Sequence, residues 1–199
     1  MKKTTRILIL LIFGATLHSC YGGTIGGLLP APKFTKGKLK DNIYTSKDAY
    51  FSIRVPFEKG GSAYRYMQIK EQYHDYGAYV SFTAYGHLVY RLEVVKKSSL
   101  ESQAIALEKV LDKTLAGYSQ QLEQGYKTKP EVLQIDKIEI NGNPSYLLQL
   151  KQNIENADSY HYVIVSDYEN MLVVFMIQVT NDNFLEQSLN FSKSFKALD

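Results

Sequence analysis

Side chains suited to acid–base or nucleophilic chemistry are few and scattered along this sequence. After residue 20 the histidines are His74, His87 and His161, each in a different segment of a predicted strand. None has a partner four residues away, the spacing that metal-binding histidines use on a helix. Neighbouring residues of a strand point to opposite faces, so His74 and Asp75 cannot act as a pair there. We therefore expect exposed histidines and no metal site.

Sequence motifs that hold nucleotides or reactive groups are also missing. The sequence contains no glycine-rich dinucleotide or phosphate loop, no Gly-x-Ser-x-Gly elbow and no His-Glu-x-x-His helix. We therefore expect no cofactor and no catalytic residue, and we do not expect an enzyme. A hydrolase using Ser81 or Ser166 as nucleophile is the weakest alternative.

Two arginines are candidates for binding a ligand. Arg54 and Arg91 lie in predicted strands, and each falls opposite the apolar residues of its strand. There they would either hold an anionic ligand or pair across strands with Glu71 and Glu93.

Tyrosine is the other residue type that could form a binding surface. The sequence has 16 tyrosines and no tryptophan. Tyrosine rings stack on sugars, although strands also favour tyrosine for packing alone. The tyrosines are densest between residues 64 and 85, where a patch would form. The candidate ligand or partner contacts there are Tyr64, Tyr66, Tyr79 and Tyr85.

Cys20 is the single cysteine, so the chain has no internal disulfide. It follows a basic start and the apolar run Ile7–Leu17, which is too short to span a membrane but typical of a signal peptide. This position favours a lipidated cysteine over a free thiol. An ordinary secretory signal and an uncleaved N-terminal anchor are the alternatives.

The segment Leu17-His18-Ser19-Cys20 resembles the lipobox of bacterial lipoproteins. The resemblance implies that residues 1–19 are a signal peptide and that the Cys20 sulfur carries a diacylglyceryl group. Two or more acyl chains would hold the protein stably in membrane lipid. Tyr21 resembles the outer-membrane sorting signal of diderm bacteria. The expected location is therefore the bacterial cell envelope, at the outer membrane if the organism is diderm.

Residues 20–40 should form the lipidated cysteine and a flexible tether. They are rich in glycine and lysine and show neither helical nor strand periodicity. A single globular domain should follow from residue 41 to residue 199. That part has 16 basic and 20 acidic residues, which argues against a nucleic acid partner.

The apolar pattern of residues 41–199 predicts strands, a helix, more strands and a second helix. A capping box at Ser98 and Glu101 begins a helix over 99–123, and Asn141-Gly142 predicts a β-hairpin turn. The run 172–179 is apolar on both faces, which indicates a central strand. Residues 182–198 carry an apolar stripe at helical spacing.

This order, with YFSIRVPF at 50–57 and NFSKSFKAL at 190–198, resembles the Mog1/PsbP-like family. The resemblance implies an α+β fold in which an antiparallel sheet is covered by helices on both faces, an α/β/α sandwich. It also implies a binding or scaffolding module.

We therefore expect a lipid-anchored, non-catalytic envelope module that contacts membrane lipid through acylated Cys20. Its further partner would be an envelope protein or polymer. The alternative is a carrier that holds a small apolar or anionic ligand in a pocket between sheet and helix.

Overall fold

Two antiparallel sheets account for most of the fold in this computed structural model. It describes residues 33–34, 37–47, 50–74, 77–85, 88–99, 106–154, 157–180 and 182–198. The strands are β1 (Lys33–Phe34), β2 (Lys38–Lys40), β3 (Ile43–Thr45), β4 (Phe51–Arg54), β5 (Gln68–His74), β6 (Gly77–Ala84), β7 (Leu88–Lys96), β8 (Glu131–Ile140), β9 (Asn143–Ile154), β10 (Ala157–Asp167), β11 (Met171–Val179) and β12 (Lys196–Ala197).

The large sheet has eight strands in the order β1-β5-β6-β7-β11-β10-β9-β8, and the small sheet has four in the order β12-β4-β3-β2. The α-helices are α1 (Ser62–Arg65), α2 (Leu107–Tyr126) and α3 (Leu185–Lys193), with 3-10 turns at Lys97–Ser99 and Asp182–Phe184. Of these helices, α2 alone is long, at 20 residues.

Strand β11 lies between β7 and β10 and is buried on both faces. Phe175 and Ile177 belong to the apolar cluster on one face, and Val174 and Met176 to the cluster on the other. Such a strand needs an apolar cover on each side, because no face of it can be left to water. The prediction of a central strand at 172–179 is confirmed.

Helix α2 covers one face of the large sheet. Its buried residues recur at spacings of three and four, which places them on one side of the helix. They are Val110, Leu111, Thr114, Gly117, Tyr118 and Leu122. Their partners in the sheet include Leu148, Leu150 and Val163. We call this side the α2 face.

The opposite face of the large sheet is covered by the small sheet together with α3. Tyr44, Phe51 and Ile53 of the small sheet join Phe191 and Phe195 in one buried cluster with the large sheet. The predicted α/β/α sandwich, with helices covering both faces, is therefore wrong: the protein is mostly β. The alternation within YFSIRVPF predicts strand β4, but strands of two or three residues, such as β2, β3 and β12, show too little periodicity to be recognised in the sequence.

Both predicted long helices differ from the observed ones at their ends. Helix α2 begins at Leu107 rather than at residue 99, after Ala106, which makes no side-chain cap. Ser98 lies in a 3-10 turn instead, and Glu101 is outside the described residues. The last helix ends at Lys193, and β12 then pairs with β4.

The turn residues predicted their local structure correctly, unlike the predicted helix cap at Ser98. The Asn141-Gly142 turn joins β8 to β9, and both residues have positive φ, 53° and 78°. This is the left-handed backbone that a type I′ hairpin requires, so the hairpin prediction is confirmed. At the other end of the chain, β1 and β2 lie within residues 20–40, the segment assigned to the tether.

Phe175→Ala should lower the free energy of unfolding by about 3–5 kcal/mol. The Phe175 side chain is fully buried, and its ring centroid lies 6.0 Å from those of Phe191 and Phe195. Truncation would remove apolar burial and leave a cavity between the central strand and α3. Denaturant unfolding measures the loss. Exposed Leu39→Ala is the control, expected to change stability by less than about 0.5 kcal/mol; equal effects would contradict the central role of β11.

Candidate functional site

Two of the candidate tyrosines meet at one end of the large sheet. Gln68 of β5 pairs with Thr83 of β6, so continuing the register by two residues places Tyr66 opposite Tyr85. Their ring centroids are 5.7 Å apart and their planes are inclined by 48°. Tyr66 is 67% exposed and Tyr85 is 47% exposed. We call this pair the tyrosine platform.

The other two candidate tyrosines pack against the hydrophobic clusters of the fold. Tyr64 lies in α1, is half-buried and packs against the cluster beneath the small sheet. Tyr79 is 1% exposed and belongs to the cluster on the α2 face. Neither presents an open ring like Tyr66: Tyr64 packs on that cluster, and Tyr79 lies in β6, whose side chains alternate between two covered faces.

The candidate arginines are not brought together. Arg54 is exposed at the end of β4 in the small sheet, where its backbone N–H donates to Ser194 Oγ at 3.1 Å. Arg91 is half-buried in β7, and its neighbours Tyr90 and Leu92 point to the small sheet. Arg91 therefore points to the α2 face, on the other side of the large sheet from Arg54.

The glutamates that were alternative partners for these arginines behave differently from each other. Glu71 is buried and accepts hydrogen bonds from the hydroxyls of Tyr44 and Tyr73. Burial, followed by the Glu71 hydrogen bond, raises the pKa of Tyr44. Glu71 thus ties the small sheet to β5.

Glu93 is a buried carboxyl whose two oxygens have no hydrogen-bond partner among the described residues. It lies in β7, directly between Tyr79 of β6 and Val174 of β11. Burial raises the pKa of Glu93 to about 8 from an ordinary value of 4.5, because the charged form loses its hydration. At neutral pH the protonated form therefore predominates.

His161 is also buried on the α2 face, contrary to the expectation of exposed histidines. It is 0% exposed in β10, and its Nδ1 lies 3.0 Å from the hydroxyl of Tyr118 in α2. Burial, and then the positive charge of Arg91, lower the pKa of His161 to about 4. A neutral imidazole thus helps dock α2. His87 and the side chain of His74 are outside the described residues.

A groove of about 630 Å³ runs between the start of α2 and the β8–β9 hairpin. The Tyr146 hydroxyl donates to Glu108 Oε1 at 2.8 Å, and Lys137 Nζ lies 3.8 Å from the same oxygen. Its own backbone N–H and the Tyr146 hydroxyl lower the pKa of Glu108. The groove is open to solvent, whereas a carrier would need a cavity that encloses most of its ligand.

Besides the tyrosine platform, the β8 side of the large sheet exposes apolar residues. Strand β8 is the last of the sheet in the described part of the chain and has ten residues. Val132, Leu133 and Ile135 are each 45–46% exposed. We call β8 with these three side chains the β8 edge. No sequence motif identifies the β8 edge, because its apolar residues show only the pattern of an ordinary strand.

Within the described residues, no three His, Cys, Asp or Glu side chains are grouped as metal ligands. The helices in this part of the chain are all too short or too polar to cross a membrane. Cys20 and the rest of residues 1–32 lie outside the described residues.

Comparison with known proteins gives weak structural similarity only. No family model matches the chain, and no curated protein matches its sequence. The solution structure of PsbP from the cyanobacterium Synechocystis sp. PCC 6803 matches with a TM-score of 0.49 and 11% identity, over 89% of this chain and 99% of that one. A crystal structure from Bacteroides thetaiotaomicron VPI-5482 has a TM-score of 0.47 and 11% identity, over 83% of this chain and 50% of that one. A PsbP is thus among the structural neighbours.

Between pH 6.5 and 8 the free energy of unfolding should fall as the pH rises. The raised pKa of Glu93 means that the folded state holds a proton that the unfolded state has released. His161 is neutral in the folded state, because its pKa is lowered, but in the unfolded state it is about half protonated at pH 6.5. It therefore weakens the fall in stability near pH 6.5, and this opposing effect disappears towards pH 8. Glu93→Gln should flatten the slope and raise stability at pH 8 by at least about 1 kcal/mol, since burying an amide costs less than burying a carboxylate.

Denaturant unfolding across this pH range measures both effects. Glu58→Gln is the matched control, because Glu58 is exposed. A wild-type curve that is flat between pH 6.5 and 8 would contradict the buried, unpaired state of Glu93.

Proposed function

We propose that this chain is a lipid-anchored protein of the bacterial cell envelope and acts as a non-catalytic binding or scaffolding module. Acylated Cys20 holds it in membrane lipid, at the outer membrane in a diderm organism, and the β8 edge binds a protein partner. The partner adds an extended segment to the large sheet as a further strand. The β8 edge is the observation that carries this proposal.

An edge strand leaves one side of its backbone unpaired, so its outward N–H and C=O groups can bind another strand. Edge strands in monomeric proteins are usually short or strongly charged, because a long apolar edge promotes association. Strand β8 has ten residues, of which Glu131, Asp136, Lys137 and Glu139 are charged, but three large apolar side chains in its first half are nearly half exposed. Burying them would contribute to the free energy of binding.

The side-chain positions along β8 favour a partner that approaches from the α2 face. Val132 pairs with Leu150 and Ile135 pairs with Leu148, and both leucines belong to the cluster under α2. The register shifts between Val132 and Gln134, which leaves Leu133 as the extra residue of a bulge. An added strand would therefore meet an apolar strip on one side and the polar Gln134 on the other.

The anchor is tested by Cys20→Ala. A thiol is required for diacylglyceryl transfer, so the variant should remain unprocessed or leave the membrane fraction. Cell fractionation with immunoblotting follows both size and location, and Ser62→Ala, at an exposed serine and with Cys20 kept, is the control. A variant that is processed and sediments with membranes like the wild type would contradict lipid anchoring.

The β8 edge is tested with a photo-crosslinking amino acid placed at Ile135 in living cells. We expect one discrete protein adduct from position 135 and none from exposed Lys59, the control position. Adding Leu133→Lys should remove the adduct, because a desolvated ammonium would oppose pairing. The stability of Leu133→Lys should stay within about 0.5 kcal/mol of wild type. Equal adducts at positions 135 and 59 would refute the proposal.

A further inference from the structure

The tyrosine platform is a candidate site of its own, at the other side of the large sheet from the β8 edge. Tyr66 follows α1 and Tyr85 follows β6, and the antiparallel register brings them side by side. Tyr66 exposes two thirds of its surface and Tyr85 nearly half. Exposing two adjacent aromatic rings to this extent forgoes part of their apolar burial.

The backbone of Tyr85 is strained. Its φ is 53°, in the left-handed region that glycine and asparagine adopt readily and a bulky aromatic residue seldom does. Strained backbone persists where the surrounding structure compensates for it, and it is concentrated at functional sites. An asparagine at this turn would remove the strain, yet the sequence places a ring there and exposes it.

The two ring planes are inclined by 48°, and each ring has apolar faces and a hydroxyl at its rim. Their separation of 5.7 Å is comparable to the spacing of neighbouring sugar rings in a linear glycan. A pyranose ring presents C–H groups on one face and hydroxyl groups at its edge, which matches a tyrosine ring and its hydroxyl. Arg65, which precedes Tyr66 in the sequence, is also exposed.

We propose that Tyr66 and Tyr85 bind a linear chain of pyranose sugars, with one sugar ring stacked on each tyrosine. Two stacked rings provide contact area at a small entropic cost, because a tyrosine side chain has only two rotatable bonds to order. The mild net negative charge of residues 41–199 does not favour nucleic acid, whose bases also stack on tyrosine.

This site shares the proposed envelope location but uses neither the β8 edge nor Cys20. A protein with both surfaces would connect an envelope glycan to an envelope protein. Because the two surfaces have no residue in common, each can fail without the other.

The test is titration of the full-length protein, purified from membranes in detergent, with chitohexaose and with cellohexaose. Calorimetry gives the affinity, and NMR of labelled tyrosine rings reports which tyrosines are contacted. We expect at least one glycan to bind and to shift the Tyr66 and Tyr85 ring signals. Tyr66→Ala should weaken binding about tenfold, and Tyr66→Phe should retain most of it, since stacking needs the ring.

The variant Tyr85→Asn tests the role of the Tyr85 ring in binding without lowering stability. It should also weaken binding about tenfold, yet its melting temperature should equal or exceed that of wild type, because asparagine tolerates the left-handed backbone. Tyr126→Ala is the control: Tyr126 is 40% exposed but lies at the end of α2. It should leave binding unchanged, as should Leu133→Lys and Cys20→Ala.

Three outcomes would overturn the glycan site. They are no binding of either glycan, equal loss of binding in Tyr126→Ala, and equal loss in Tyr66→Phe and Tyr66→Ala. None of them affects the β8 crosslink or the membrane fractionation, so this failure is distinguishable from failure of the proposed function.

Discussion

The rest of the fold depends on one strand, β11, which has no face that water can occupy. Eight of its nine residues are buried, and they alternate between two apolar clusters. Each face therefore needs its own cover. Helix α2 supplies one, and the small sheet with α3 supplies the other. Segments far apart in sequence come together because each of the two covers packs on this strand.

This arrangement removes water from polar groups that share the α2 face with apolar neighbours. Glu93 lies beside β11 with no partner for its carboxylate among the described residues, and His161 has one through Tyr118. Both are neutral near pH 7, because the cover removes the water that would stabilise their charges. Their shifted pKa values report burial and do not identify a reaction.

Both surfaces proposed for binding lie at the margins of the large sheet. The tyrosine platform is at the end of β5 and β6, and the β8 edge is the far margin of the same sheet. Six strand steps separate β5 from β8, a span of roughly 25–30 Å. Two partners could therefore be held at once on a rigid sheet. The groove beside α2 lies near the β8 edge but is open to solvent, which favours a binding surface over an enclosed carrier site.

The sequence by itself determined the features that depend on neighbouring residues: the central strand at 172–179, the Asn141-Gly142 hairpin and the presence of a long amphipathic helix. Only the tertiary structure decided that the second cover is largely a sheet. Strands β2, β3 and β12 are too short for a periodic pattern, and the pattern of β4 does not show that it pairs with β3 and β12 in a second sheet. The same holds for His161, whose burial depends on where α2 docks, and for Tyr66 and Tyr85. Their contact depends on the register between β5 and β6, which is set by packing of the whole sheet.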